Sequence, residues 1–152
     1  MMKIEDGMNY LLQVKDLVIE YTNSLGRDLP FQNLDSELDN IAGKYTAPNG
    51  ELLVAVEDGE VIGMVAYHKH SDDRCEMKRL YVKPTARGIH LGEQLVTEII
   101  KHAKTAGFKE MVLDTIEPLK AAISLYQKNG FERCEPYYNN PMDDVIYMRK
   151  IL

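Results

Sequence analysis

Residues 82–100 read VKPTARGIHLGEQLVTEII, a stretch that opens as the end of a strand and closes as a helix. At the junction stand Arg87, Gly88 and Gly92, with His90 between the two glycines. A helix N-terminus presents unpaired N–H groups and a partial positive charge, so it seats phosphate well. Glycines there permit backbone conformations and close approach that side chains block. Arg87 adds a forked cation suited to phosphate oxygens. Two familiar phosphate loops do not fit. The dinucleotide fingerprint needs three glycines at another spacing, and a P-loop needs Gly-Lys-Ser/Thr.

The charge around this loop is uneven. The chain has 152 residues with a net charge of −6, from 18 basic and 24 acidic side chains. Yet from Met77 to Gly92 there are Lys78, Arg79, Lys83 and Arg87 and no acidic residue. A local basic patch in an acidic protein suggests an anionic ligand; a solvated basic face is the alternative. The acidic total argues against a general nucleic-acid binder. No run of about 18 apolar residues is present, so no membrane span is expected. The N-terminus MMKIEDGMNY has no basic start and apolar stretch of a signal peptide, and a reducing cytoplasm is the expected location.

Working outward, the length suits one domain covering residues 1–152. Tyr10, Leu11, Val14, Leu17, Val18 and Tyr21 fall at helical spacing, so residues 8–24 read as an amphipathic helix. Leu34, Leu38 and Ile41 suggest a second short one. ELLVAVEDGEVIGMVAYHKH is two apolar runs around Asp58-Gly59, a hairpin signal, and RCEMKRLYV is a third strand. A helix spans Leu91 to Ala106, closed by Gly107. KEMVLDT is a buried strand, and Pro118 starts a further helix that Gly130 ends. Phe131 to Tyr138 and Asp144 to Leu152 read as two last strands. The fold class is α/β (α+β): a central mixed, mostly antiparallel sheet flanked by helices.

The loop resembles the Arg-x-x-Gly-x-Gly/Ala loop of the GNAT superfamily of N-acetyltransferases, whose backbone amides hold the pyrophosphate of coenzyme A. Arg87 stands at the arginine, His90 at the first glycine and Gly92 at the second. CEMKRLYVKPTARG looks like the family's strand leading into that loop, and AAISLYQKNGF resembles its later helix with Leu-Tyr followed by Gly-Phe. The element order from residue 9 to 152 is also similar. The family's first strand has only MKIE available, so it is short or missing. Two positions depart from the pattern: His90, and Leu119 where an Asn often bonds the cofactor.

The resemblance implies acetyl-CoA as cofactor. Its binding residues would be Leu80, Tyr81 and Val82 along the strand, Arg87, Gly88, Ile89, His90, Leu91, Gly92 and Glu93 in the loop, and Tyr126 and Lys128 on the later helix. It implies Tyr126 as the acid that protonates the leaving sulfur and Glu76 as a base for the amine, directly or through water. A tyrosine that merely packs helix on sheet, and a strand carboxylate paired with a lysine, are the plain alternatives. The segments LGRDLPFQNLD and EPYYNNPMDD correspond to regions bordering the family's acceptor cleft. They offer Arg27, Gln32, Tyr137, Tyr138 and Asn140, and either Arg27 or Arg79 could hold a carboxylate.

The activity so implied is direct transfer, in a ternary complex, to a primary amine of a small molecule such as an amino acid. Open alternatives are a CoA-binding regulatory module without catalysis, an enzyme acting on protein or peptide amines, and an unrelated α/β protein holding another phosphate. A homodimer is also left open. Cys75 and Cys134 read as packing residues, since direct transfer needs no thiol. His68, His70 and Cys75 lack zinc-ligand spacing, so no metal is expected. Met64, Met77, Met111 and Met148 read as core.

Overall fold

The computed structural model describes residues 2–24, 40–88, 90–139 and 142–152. Strand β1 (Met2–Asp6) leads through a 3-10 turn into helix α1 (Leu11–Ser24). A one-turn helix, α2 (Ile41–Lys44), precedes β2 (Gly50–Glu57), β3 (Glu60–Lys69) and β4 (Arg74–Val82). Then come α3 (Leu91–Thr105), β5 (Glu110–Ile116), α4 (Lys120–Lys128), β6 (Glu132–Arg133) and β7 (Val145–Ile151). One seven-stranded sheet has the order β1-β2-β3-β4-β5-β7-β6. All neighbours are antiparallel except β4 and β5. Among the described residues no helix is long and apolar enough to cross a membrane.

The apolar runs of the hairpin explain both layers. On β2, Leu52, Val54 and Val56 point to one face and pack under Val14, Leu17 and Val18 of α1. Leu53 and Ala55 point to the other and meet Leu91, Leu95, Val96 and Ile99 of α3. Covered on both faces, β2 and β3 carry continuous apolar sequence although they are antiparallel. The turn between them holds Asp58 at φ 51° and Gly59 at φ 79°, the positive pair that a tight hairpin requires. Cys75 is buried and Cys134 half-buried, and both are free.

Several expectations need adjusting. The first strand is present, five residues long, paired with β2. The expected helix over 8–24 begins instead with the 3-10 turn Gly7–Tyr10, capped by the Asp6 carboxylate accepting from the Met8 amide at 2.9 Å. Of the second helix, Leu34 and Leu38 lie outside the described residues, and Ile41 opens α2. Helix α4 begins at Lys120, because Pro118 and Leu119 form a turn in which Pro118 accepts from Lys120. The expected strand over 131–138 is only Glu132–Arg133. Cys134 still donates to Tyr147, but Pro136 has no N–H to continue the ladder.

Helix α3 sits on bare backbone at Gly63. A Cβ there would lie 3.1 Å from Leu95 Cδ1 and 3.3 Å from both Leu91 Cδ2 and the Tyr81 carbonyl. Gly63→Val should therefore lift α3 from the sheet and lower stability by about 1–3 kcal/mol. Urea unfolding followed by circular dichroism checks this, and an unchanged midpoint would contradict the packing described.

Candidate active site

Strands β4 and β5 run side by side for only three pairs, Arg74↔Glu110, Cys75↔Met111 and Glu76↔Val112. Past Glu76 they part. On its outer side β4 bulges against β3: the pairs Ala66↔Lys78 and Met64↔Tyr81 set three steps on β4 against two on β3. Arg79 absorbs the extra residue at φ 60°. On its outer side β5 stays paired with β7 from Glu110↔Ile151 to Ile116↔Val145. The gap between the strands is a cavity of about 230 Å³. Arg79 and Leu80 form one wall, Asp114 the other, and Glu76 sits where they diverge. Tyr126 from α4 and Tyr21 from α1 close it from the two helix layers.

Each polar group here has a definable state. Glu76 is 9% exposed. Its Oε1 lies 2.8 Å from His70 Nε2, and its Oε2 accepts from the Tyr137 hydroxyl at 3.0 Å. Burial pushes its carboxyl up, but the His70 hydrogen bond, the charges of Lys78 and His70, and the Tyr137 hydroxyl outweigh burial. The group ends below its ordinary value. Asp114 goes the other way: burial raises it, and neighbouring Glu76 adds to that, against the hydrogen bond from the Tyr138 hydroxyl. Tyr126 is 8% exposed, and burial, with Tyr21 and Asp114 nearby, raises its phenol and holds it protonated. Among the described residues its hydroxyl has no hydrogen-bond partner. Its ring packs edge-on against Phe131 at 6.0 Å.

The loop lies at the outer end of the same gap. Arg87 donates from Nε to the Val82 carbonyl at 3.2 Å and stacks its guanidinium 5.7 Å from the Tyr81 ring centre. Gly88 stands at φ 92° with open space where a Cβ would be. His90 stands at φ 58°, ψ 27°, the left-handed region that glycine adopts without cost, and its side chain is exposed. The histidine thus stands in a backbone conformation that favours glycine. A Cβ on Gly92 would meet Leu125 at 3.5 Å, so α4 closes on the start of α3. Lys128 and Glu93 bridge the same two helices at 3.2 Å.

Of the sequence-expected residues, Glu76, Leu80, Tyr126, Arg79 and Tyr138 meet at one cavity. Val82, Arg87, Gly88, His90, Gly92, Glu93 and Lys128 gather at the α3 N-terminus. Leu91 is buried in the core. Tyr81 is buried on the α1 side, its hydroxyl donating to Glu20 at 2.7 Å. Ile89, Arg27, Gln32 and Asn140 lie outside the described residues. Leu119 is the N-cap of α4 and makes no side-chain cap bond. Sequence reasoning missed Asp114 and the partnership of His70 with Glu76. A carboxylate inside the apolar run MVLDTI was a usable signal for Asp114, since buried charge needs a reason.

The left-handed backbone at residue 90 sets a clear expectation. His90→Gly should change stability by less than about 1 kcal/mol, because relief of strain offsets the freer unfolded chain. His90→Val, with a β-branched side chain at positive φ, should cost about 1–2 kcal/mol. Chemical denaturation of both variants decides this; equal losses would mean that the backbone is not strained at this point.

Comparison with known proteins agrees with this geometry. The model of the acetyltransferase (GNAT) family matches residues 16–131. An uncharacterised N-acetyltransferase of Schizosaccharomyces pombe is 49% identical over 137 residues, covering 89% of this chain and 84% of that protein. The crystal structure of an acetyltransferase from Streptococcus agalactiae superposes with a TM-score of 0.81 at 25% identity, over 99% of this chain and 98% of that one. A GNAT family acetyltransferase from Elizabethkingia anophelis, solved with acetyl-CoA bound, superposes with a TM-score of 0.60 at 25% identity, over 74% of this chain and 82% of that one. A family match across most of the chain thus joins the parted strands and the Arg87–Gly92 loop, and the chain belongs to the GNAT family of acetyltransferases.

Proposed function

We propose that this acetyltransferase moves the acetyl group of acetyl-CoA directly to the primary amine of a small, carboxylate-bearing molecule such as an amino acid. The observation that carries the reading is the single cavity uniting Glu76, Arg79 and Tyr126 where β4 and β5 part.

The residues present fit acetyl-CoA. Beyond Glu76, β4 has no strand opposite it on the β5 side, so its backbone from Leu80 to Val82 can bond an extended amide chain. The start of α3 offers N–H groups, with open space at Gly88, close packing of α4 allowed by Gly92, and Arg87 at hand. The contact needs only a backbone amide, which His90 also has, and its side chain is exposed. Leu119 contributes no cap bond and so replaces none of the contact that an Asn would give. When bound, acetyl-CoA supplies an acyl group on a good leaving sulfur.

The chain's own residues do the rest. An amine must be neutral to attack, and Glu76, ionised at the cavity wall, is placed to take its proton. Tyr126 stays protonated, and its hydroxyl, without a partner among the described residues, can donate toward the sulfur. Arg79, 6% exposed in the cavity wall, supplies a fixed positive charge for an acceptor carboxylate. The cavity, about 230 Å³, sits below the usual size of drug-sized ligand pockets and suits a small acceptor better than a peptide.

The cofactor reading predicts clear weakening of coenzyme A binding in Arg87→Ala and in Gly92→Glu, which places bulk and negative charge at the phosphates. Calorimetric titration checks it, and unchanged affinity in both variants would remove the loop from the account. For catalysis, Tyr126→Phe should lower kcat at least about tenfold with little change in coenzyme A affinity. For the acceptor, free amino acids should outcompete polyamines and peptides in one turnover panel. A preference for polyamines or peptides over every carboxylate-bearing amine would overturn that part.

A further inference from the structure

His70 belongs to no cofactor loop and no expected site. It sits where β3 turns into β4, six residues before Glu76. The hairpin register places His68 opposite Glu76, so His70 is the diagonal neighbour on the same face. Its Nε2 is 2.8 Å from Glu76 Oε1. Glu76 lines the cavity and His70 does not: the imidazole stands behind the carboxylate. Its side chain is 23% exposed, against 11% for Glu76. The Tyr137 ring covers it at 5.7 Å and an interplanar angle of 59°, while the Tyr137 hydroxyl holds the other carboxylate oxygen. The pair is therefore fixed from both ends, with one member facing the cavity and the other reaching solvent.

We propose that the base of this enzyme is the Glu76–His70 pair, in which Glu76 takes the proton from the acceptor ammonium and His70 holds and releases it. This rests on the reading of Glu76 given above and adds a residue to it. The proton count closes. The ammonium N–H bond breaks and the proton moves to Glu76. In the resting pair the neutral ring carries its proton on Nε2 and donates it to the Glu76 carboxylate. Once Glu76 is protonated, the ring exchanges through solvent to its Nδ1–H tautomer, Nε2 takes the proton from Oε1, and an imidazolium stands beside a carboxylate. Nδ1 then gives its proton to water, which restores the Nε2–H tautomer.

The physical need is plain. A carboxylate held below its ordinary value is a poor final home for an amine's proton. Imidazole ordinarily titrates near neutrality and is a far better one. The groups facing the pair are Lys78 on β4, His68 on β3, Asp114 on β5 and Tyr137 from the segment after β6. Arg74 lies over the Tyr137 ring at 5.6 Å. The flanking cations and the Tyr137 hydroxyl keep Glu76 ionised.

The test compares wild type, His70→Gln and Glu76→Gln with acetyl-CoA and the best acceptor from the amine panel, from about pH 6.5 to about pH 9.5. His70→Gln should keep the wild-type melting temperature and coenzyme A affinity. Its kcat should fall at least about tenfold near neutrality, and the deficit should shrink as pH rises and the amine becomes neutral unaided. Added imidazole should restore turnover in His70→Gly. Wild-type turnover in His70→Gln, or the same fold loss at every pH, would overturn the proposal. If Glu76→Gln also keeps full turnover, the base reading itself fails; if only Glu76→Gln is impaired, His70 alone drops out. Independently of any acceptor, the ring-nitrogen NMR signals of His70 should differ between wild type and Glu76→Gln, because Nε2 loses its carboxylate partner. Identical ring-nitrogen signals in the two proteins overturn the pairing.

Discussion

The site depends on a broken strand pairing. After Glu76↔Val112, β4 and β5 keep their outer partners and lose each other. Backbone groups left unpaired in a protein interior cost about 1–3 kcal/mol each. The sheet tolerates this because the bulge at Arg79 turns β4 away while β7 holds β5 along its whole length. What remains is a half-built sheet edge inside the protein, facing a cavity. That edge is open to pairing with an extended ligand that carries amides of its own.

Polar side chains then define what the gap can do. Two adjacent tyrosines after β6 reach across to two carboxylates on two strands: Tyr137 to Glu76, and Tyr138 to Asp114. The Tyr147 hydroxyl fixes this arrangement by donating to the Tyr138 carbonyl at 3.2 Å. The two acids respond oppositely to similar burial. Glu76 has His70, Lys78 and Tyr137 to favour its charge, whereas Asp114 has a charged Glu76 to oppose its own. Pairs pushed apart in this way are a mark of sites built for proton transfer. Tyr126 is different again, buried and protonated, with no hydrogen-bond partner for its hydroxyl among the described residues.

Much of this was legible in residue order. RCEMKRLYV is β4 to the residue, and the spacing from Leu91 gives α3. The Arg87–Gly92 loop was readable because local backbone demands select particular residues, and His90 was readable as a departure. Its left-handed backbone was not, since most residues other than glycine avoid positive φ and nothing in the linear sequence marks this one as an exception. The strand expected over 131–138 failed because the aromatic residues there serve distant carboxylates rather than a ladder. His70 beside Cys75 suggested only a metal to be dismissed. Its real partner, Glu76, is set by hairpin register, and no linear spacing announces that. Asp114 was missed although it is a charge in an apolar strand, and Tyr138, its partner, is 24 residues away.

The central claim is that the β4 edge opened by the broken pairing, together with the start of α3, receives acetyl-CoA. Backbone amide exchange, measured with and without acetyl-CoA, addresses it most directly, because it reads the backbone itself. The account predicts marked slowing over Leu80–Val82 and Gly88–Gly92, with β1 and β2 unchanged. Unaltered exchange in those two segments, with protection appearing elsewhere, would contradict it.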